Sequence, residues 1–248
     1  MTESIRFDRA AEYYDRTRVL PPDVVERQSA LLMAELGGRD VVLEIGVGTG
    51  RVALSLDVPV IGLDLSRPMM EVLRAKDGTV PLVEGDATRL PFPDDSVDAA
   101  YAAHVLHLIP AWEAALAELA RVVRPGGVVL AVRGSGATDV EREMNAALSI
   151  RHAPVGAHTI EEIDEGARRV GLGVRSLDSV TWTKPTPVGE LVTAVEQGIW
   201  SGMWDRSPAE LRELAARVEA WLTDRYGSTD AVVPARSSFA WHAYDVPG

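Results

Sequence analysis

The chain has 248 residues, 46% of them apolar, with 25 basic against 37 acidic side chains and a formal net charge of -12. That length suits one well-buried core with an insertion rather than two full domains, and the acidic balance argues against nucleic acid as a substrate, since such binding depends on lysine and arginine meeting phosphates. The sequence contains no cysteine, which excludes disulfides and thiolate chemistry, and no metal site is expected.

From the amino terminus, Phe7 to Arg16 reads as a short helix, and Pro21-Pro22 introduces a longer one over Val24 to Leu36 that Gly37-Gly38 closes. Val42-Leu43-Glu44-Ile45 then runs into Gly46, Gly48 and Gly50, which describes a buried strand entering a tight, ligand-approaching turn from which a helix begins. Val58 to Asp64 is a second strand, followed by Ser66 as the cap of a helix over Pro68 to Ala75. Val80 to Ala87 holds a third strand, and the prolines and acids of Leu90 to Asp98 form a structural turn. Ala99 to Ala102 is the fourth strand, and His104 to Ile109 leads through Pro110 into a helix over Trp112 to Val123.

Arg121 and Arg124 suit the carboxyl end of that helix, and Pro125-Gly126-Gly127 reverses the chain into a fifth strand ending at Val132. Helical patterns follow over Asp139 to Ile150 and Thr159 to Val170, the second opened by Thr159 and Glu162 in capping-box spacing. Strands over Val174 to Lys184 and Ser238 to Asp245 flank an insertion, about 187–227, in which Val188 to Tyr226 reads as two helices broken near Asp205-Arg206-Ser207-Pro208. Trp200 and Trp204 would share one helix face there, either lining an acceptor pocket together with Trp221 or fixing the insertion to the sheet. Strands alternating with helical segments imply parallel pairing, helices on both faces and ligands at the carboxyl ends of the strands.

The glycine turn carries the most specific signal. A dinucleotide fingerprint needs a small residue at position 51, where this chain has Arg51, and Glu44 would repel pyrophosphate while accepting hydrogen bonds from an ammonium group. A zwitterionic, phosphate-free ligand fits better. Asp64 ends its strand about 20 residues after Glu44, the spacing of a ribose-binding carboxylate, with helix capping as its alternative role. Asp86 ends the third strand, either for ligand binding or as an Asx turn.

Taken in order, E-x-G-x-G-x-G at 44–50, the acid at 64, Gly85-Asp86-Ala87 and Arg121-Val122-Val123-Arg124-Pro125-Gly126-Gly127 resemble the class I S-adenosylmethionine-dependent methyltransferases, in particular the type 11, UbiE-like small-molecule group. The resemblance implies a Rossmann-like α/β fold, a seven-stranded mostly parallel sheet with an antiparallel last strand and a helical insertion before it. It makes 1–248 one domain, with an N-terminal helical segment over 1–37, a cofactor-binding core over 38–135 and a C-terminal half over 136–248. It further implies S-adenosylmethionine as cofactor, bound by Glu44, Gly46, Val47, Gly48, Thr49, Gly50, Asp64, Leu65, Met69, Asp86, Ala87 and His104. In this family Asp86 would accept from the adenine amino group while the Ala87 amide meets a ring nitrogen.

Phe7-Asp8-Arg9-Ala10-Ala11-Glu12-Tyr13-Tyr14-Asp15 resembles a segment that folds over the cofactor in such enzymes, so Tyr13, Tyr14 and Arg18 are candidates near its methionine part or the acceptor, with a surface helix docked through Phe7 and Tyr14 as the alternative. The acceptor would be a small molecule, methylated by in-line transfer. His104 is the candidate general base, ahead of His107, His152 and His158, and His242 in the last strand reads as structural. Two other readings stand beside this one: a cofactor-binding protein on the same fold with a different or no transfer activity, and a nicotinamide oxidoreductase. With no apolar run of about 18 residues and no signal-peptide pattern around Glu3, Arg6, Asp8 and Arg9, a cytoplasmic protein without a membrane partner is expected.

Overall fold

In the computed structural model, which describes residues 4–132, 137–150, 156–157 and 159–248, strand β1 (Val42–Ile45) is buried along its whole length. It lies between β2 (Val60–Asp64), which pairs Val60 with Val42, and β4 (Val97–Ala103), which pairs Ala99 with Val42, both parallel. A strand flanked on both sides and covered on both faces has no solvent side to mark with polar residues, hence a run that is apolar apart from the buried Glu44. The edge beyond β2 is β3 (Leu82–Glu84), also parallel. On the other side follow β5 (Val123–Val132), parallel to β4, then β7 (Val232–Asp245) and β6 (Gly173–Pro187), in the order β3-β2-β1-β4-β5-β7-β6. β7 runs antiparallel to β5, with Ala131 opposite His242. The seven-stranded, mostly parallel sheet expected from the sequence is present, and its order reverses direction at the carboxyl end of β1, where open α/β sheets bind ligands.

Helix α2 (Pro22–Leu36) begins at its proline as read from the sequence, and α3 (Arg67–Lys76) is capped by Ser66, whose hydroxyl accepts from the Met69 amide. Several expectations fail locally. Phe7 to Arg16 is not one helix but a 3-10 turn (Asp8–Ala10) followed by the single-turn α1 (Tyr14–Thr17). After Gly50 no full helix forms; the chain makes only a 3-10 turn (Ala53–Ser55) before β2. Pro125-Gly126-Gly127 does not precede β5 but lies within it, because pairing starts at Val97 with Val123 and resumes, shifted, at Ala99 with Val128.

The Leu90 to Asp98 turn is held by Arg121, at the end of α4 (Trp112–Val122), which donates to the carbonyls of Phe92 and Leu90 and pairs with Asp94 and Glu118. Arg124 pairs with Asp98, whose other oxygen accepts from the amides of Asp40 and Val41 at the entrance of β1. These contacts account for the basic and acidic residues around Pro125 without any catalytic task.

The chain divides into two compact units. The first comprises 1–135, 155–180 and 239–248, and its core joins Leu43, Ile45 and Ala100 of the sheet to Leu116 and Leu119 of α4 and to Ile163 and Ala167 of α6 (Ile160–Arg169). In α6 the capping box of Thr159 and Glu162 forms as expected, and Asp164 accepts from Tyr244 and bonds to His242 Nδ1 at 2.8 Å, giving His242 its structural role. The second unit, 136–154 and 181–238, has its own core of Val140, Met144, Leu191, Val195, Leu214, Val218 and Leu222. These residues come from α5 (Asp139–Ala147), α7 (Gly189–Glu196) and α8 (Pro208–Tyr226). α5 is shorter than its sequence pattern. Trp200 and Trp204 do not share a helix face: Gly198, at φ 59°, ends α7 and the two indoles flank a 3-10 turn at Ser201–Met203. Trp200 and Trp221 pack against this unit's core.

Candidate functional site

At the carboxyl end of β1 the chain turns through Gly46 and Gly48, both at positive φ, 70° and 54°. A Cβ on Gly46 would stand 2.5 Å from Val105 Cγ2, so this position combines a left-handed backbone with a contact that no side chain could share. The turn and the ends of β2, β3 and β4 border an open-mouthed cavity.

Asp64 reaches this cavity from the end of β2. Its Oδ2 accepts from the Gly48 amide and its Oδ1 from the Ser66 amide, both at 2.8 Å, so the carboxylate fixes the glycine turn and the start of α3 relative to each other. Burial raises its pKa above the ordinary carboxylate value, against the lowering effect of these amides. Two accepted bonds leave further lone pairs, since an ionised carboxylate offers about four acceptor sites. Leu65 and Met69 line the cavity beside it.

Asp86 and Ala87 line the cavity from the end of β3. Both readings of Asp86 hold together: its Oδ1 accepts from the Thr88 amide and hydroxyl at 2.9 Å, forming the Asx turn, while the residue borders the cavity. From the other side come His104 and Tyr14. His104 has φ 54°, uncommon for a non-glycine residue, and its ring meets Phe239 edge-on at 5.9 Å. Tyr14 stacks edge-on with Phe7 at 5.9 Å, and the Arg18 guanidinium lies over its ring.

Four sequence candidates stand behind this lining rather than in it. Glu44 is 1% exposed beneath the turn, where its Oε2 accepts from the Tyr101 hydroxyl at 2.7 Å. Burial raises its pKa to about 8, despite the opposing Tyr101 hydrogen bond and Arg51 charge, so the side chain is protonated at neutral pH and offers no charge to an ammonium group. Val47 is buried against Gly62, where a Cβ would stand 2.8 Å from its methyls. Thr49 is buried with its hydroxyl donating to Asp15, and Gly50 faces Leu73. Tyr13 and His107 do not line the cavity, and Arg18 borders a neighbouring recess with Asp15 and Arg51. His152 and His158 lie outside the described residues.

The sequence reading missed Ser4 and Ile5 at one wall and Val105, Leu108 and Ile109 at another. They meet through a backbone bond from Ile5 to the Leu108 carbonyl, and Arg6 donates to the carbonyl of Leu65. Backbone contacts of this kind leave no residue-type signature. The apolar pattern of Val105, Leu108 and Ile109 after β4 was the available signal.

Residues 43–131 match the family described as "Methyltransferase domain", and this span holds β1 to β5 with the glycine turn, Asp64, Asp86 and His104. This part of the chain is similar to that family. Among curated relatives, the malonyl-[acyl-carrier protein] O-methyltransferase of Serratia marcescens is 36% identical over 127 residues, 50% of this chain and 49% of that protein. The demethylmenaquinone methyltransferase of Mycobacterium sp. (strain JLS) is 37% identical over 127 residues, 49% of this chain and 54% of that protein. The chain thus spans about half the length of the curated relatives it matches. A solved structure of the YcgJ protein from Bacillus subtilis shares the fold at TM-score 0.62 and 21% identity, covering 91% of this chain and 99% of that one. The matched span therefore sits in a fold that continues well beyond residue 131.

Proposed function

We propose that the chain is an S-adenosylmethionine-dependent methyltransferase acting on a small-molecule acceptor by in-line transfer. The observation that carries this reading is the pair of carboxylates, Asp64 and Asp86, at the ends of neighbouring parallel strands, both bordering one cavity with the Gly46 and Gly48 backbone. This set suits an adenosyl group: Asp64 has acceptor capacity for ribose hydroxyls and Asp86 Oδ2 for the adenine amino group, while the Ala87 amide would donate to a ring nitrogen. The glycine backbone leaves the methionine end unobstructed, and Tyr14 borders it.

The bound sulfonium supplies an activated methyl group, so the protein's part is chiefly to exclude water and align the acceptor. Ile5, Phe7, Leu108 and Ile109 form apolar walls for that purpose. An acceptor that loses a proton would give it to His104, which borders the same cavity from the end of β4. The net charge of -12 supports a small molecule over nucleic acid, and a cytoplasmic setting agrees with the absence of cysteine.

Calorimetric titration of ligand-free protein with S-adenosylhomocysteine tests the reading. Micromolar or tighter binding is expected, with none for NADH, and Asp64→Ala should weaken it by about 2 to 4 kcal/mol through the lost charged hydrogen bonds. Folded protein that binds neither ligand would refute the proposal.

A further inference from the structure

The glycine turn is tied to β2 by the Gly46 and Val47 amides, which donate to the Leu63 carbonyl at 2.7 and 3.1 Å, and its side chains can add little more. Between Gly46 and Gly50 only Val47 and Thr49 carry side chains, and Val47 is committed to the core. Thr49 is the one polar handle, and its hydroxyl donates to Asp15 Oδ1 at 2.6 Å. The second oxygen of Asp15 pairs with Lys76 Nζ at 2.6 Å, and that ammonium also donates to the Thr49 carbonyl at 2.8 Å. Three elements distant in sequence thus close a ring: α1 through Asp15, the turn through Thr49 and the last residue of α3 through Lys76.

We propose that Asp15 is a positioning residue for cofactor binding, clamping the glycine turn through Thr49 to the end of α3 through Lys76. This rests on the methyltransferase reading of the cavity. The neighbour of Thr49 in the chain is Gly48, whose amide donates to Asp64 Oδ2. A shift of Thr49 therefore displaces the donor that orients the proposed ribose carboxylate, and Asp15 acts on the ligand through this chain without touching it. Burial opposes ionisation of Asp15, but the Lys76 and Thr49 hydrogen bonds and the charges of Lys76 and Arg51 outweigh it, so the carboxyl is held below its ordinary value. The clamp is charged at neutral pH.

The test measures S-adenosylhomocysteine affinity by calorimetry and the unfolding midpoint of the ligand-free protein for wild type, Asp15→Ala, Thr49→Val, Thr49→Ser and the Asp15→Ala/Thr49→Val double variant. Asp15→Ala and Thr49→Val should each weaken binding roughly tenfold, the double variant hardly further, and Thr49→Ser should bind like wild type because it keeps the hydroxyl. A lower midpoint with unchanged affinity would mean that the contact only supports the fold, and would overturn the proposal. Additive losses in the double variant would do the same, since the two groups would then act separately. Should Asp15→Ala fail to fold, the contrast between Thr49→Val and Thr49→Ser still decides. If wild type does not bind, the methyltransferase reading falls and this inference with it; if wild type binds and the variants match it, only the inference falls.

Discussion

Glu44 offers the sharpest test of how the site is built, because its burial has a calculable consequence. Its carboxyl takes up a proton at about 8 in the folded protein against 4.5 ordinarily, with burial the largest cause. Between those values the folded chain binds a proton that the unfolded chain has released. This contribution is fully present below pH 4.5 and is lost as pH rises through 8. At about 1.4 kcal/mol per pH unit over most of the window, the step from pH 5 to pH 8 removes roughly 3 kcal/mol of stability. Glu44→Gln keeps the shape and an oxygen for the Tyr101 hydroxyl but has no proton to lose. Urea unfolding followed by tryptophan fluorescence at pH 5, 6, 7 and 8 should show the wild type weakening relative to the variant by that amount. Parallel stabilities across the series would mean that Glu44 is ionised at neutral pH, and the argument from burial would be wrong.

Gly50→Ala places a side chain at φ 77° with its Cβ 2.3 Å from Leu73 Cδ1, so chemical denaturation should register a loss of about 1 to 3 kcal/mol; an unchanged midpoint would show that the turn relaxes freely. In the second unit, Ser207→Ala removes the hydroxyl that accepts from the Glu210 amide at the start of α8, and thermal unfolding should report about 1 kcal/mol lost. His104→Asn separates strain from chemistry. Asparagine tolerates φ 54° at least as well as histidine, so the unfolding free energy should hold or rise while methyl transfer to a proton-losing acceptor drops by about 10² or more; undiminished turnover would remove His104 from the reaction.

Legibility in the sequence followed how local the determining interaction was. The strands were readable because a parallel strand buried on both faces must be mostly apolar, as in Val42–Ile45, and the caps because Ser66 and Thr159 act on amides three residues away. What failed depended on partners far along the chain. The segment around Tyr14 has helical spacing, yet its residues are engaged by Thr49, Lys76 and Phe7 rather than by a continuous helix. The exception is local: Trp200 and Trp204 have the four-residue spacing of one helix face, but Gly198 at positive φ ends the helix before either is reached.

The cavity divides its candidates by the same physics. Residues at strand ends were readable because the sheet's reversal at β1 brings those ends together whatever the side chains, so Asp64, Asp86 and His104 converge without needing contact with one another. Glu44 stands apart from them for a related reason. Side chains alternate along a strand, and a residue two places before the turn lies within the sheet, where Tyr101 on the paired strand meets it and no ligand-facing surface remains. Its carboxyl, raised to about 8 by burial, accepts from the Tyr101 hydroxyl beneath the turn, while Asp64, held at the strand end by the amides of Gly48 and Ser66, borders the cavity.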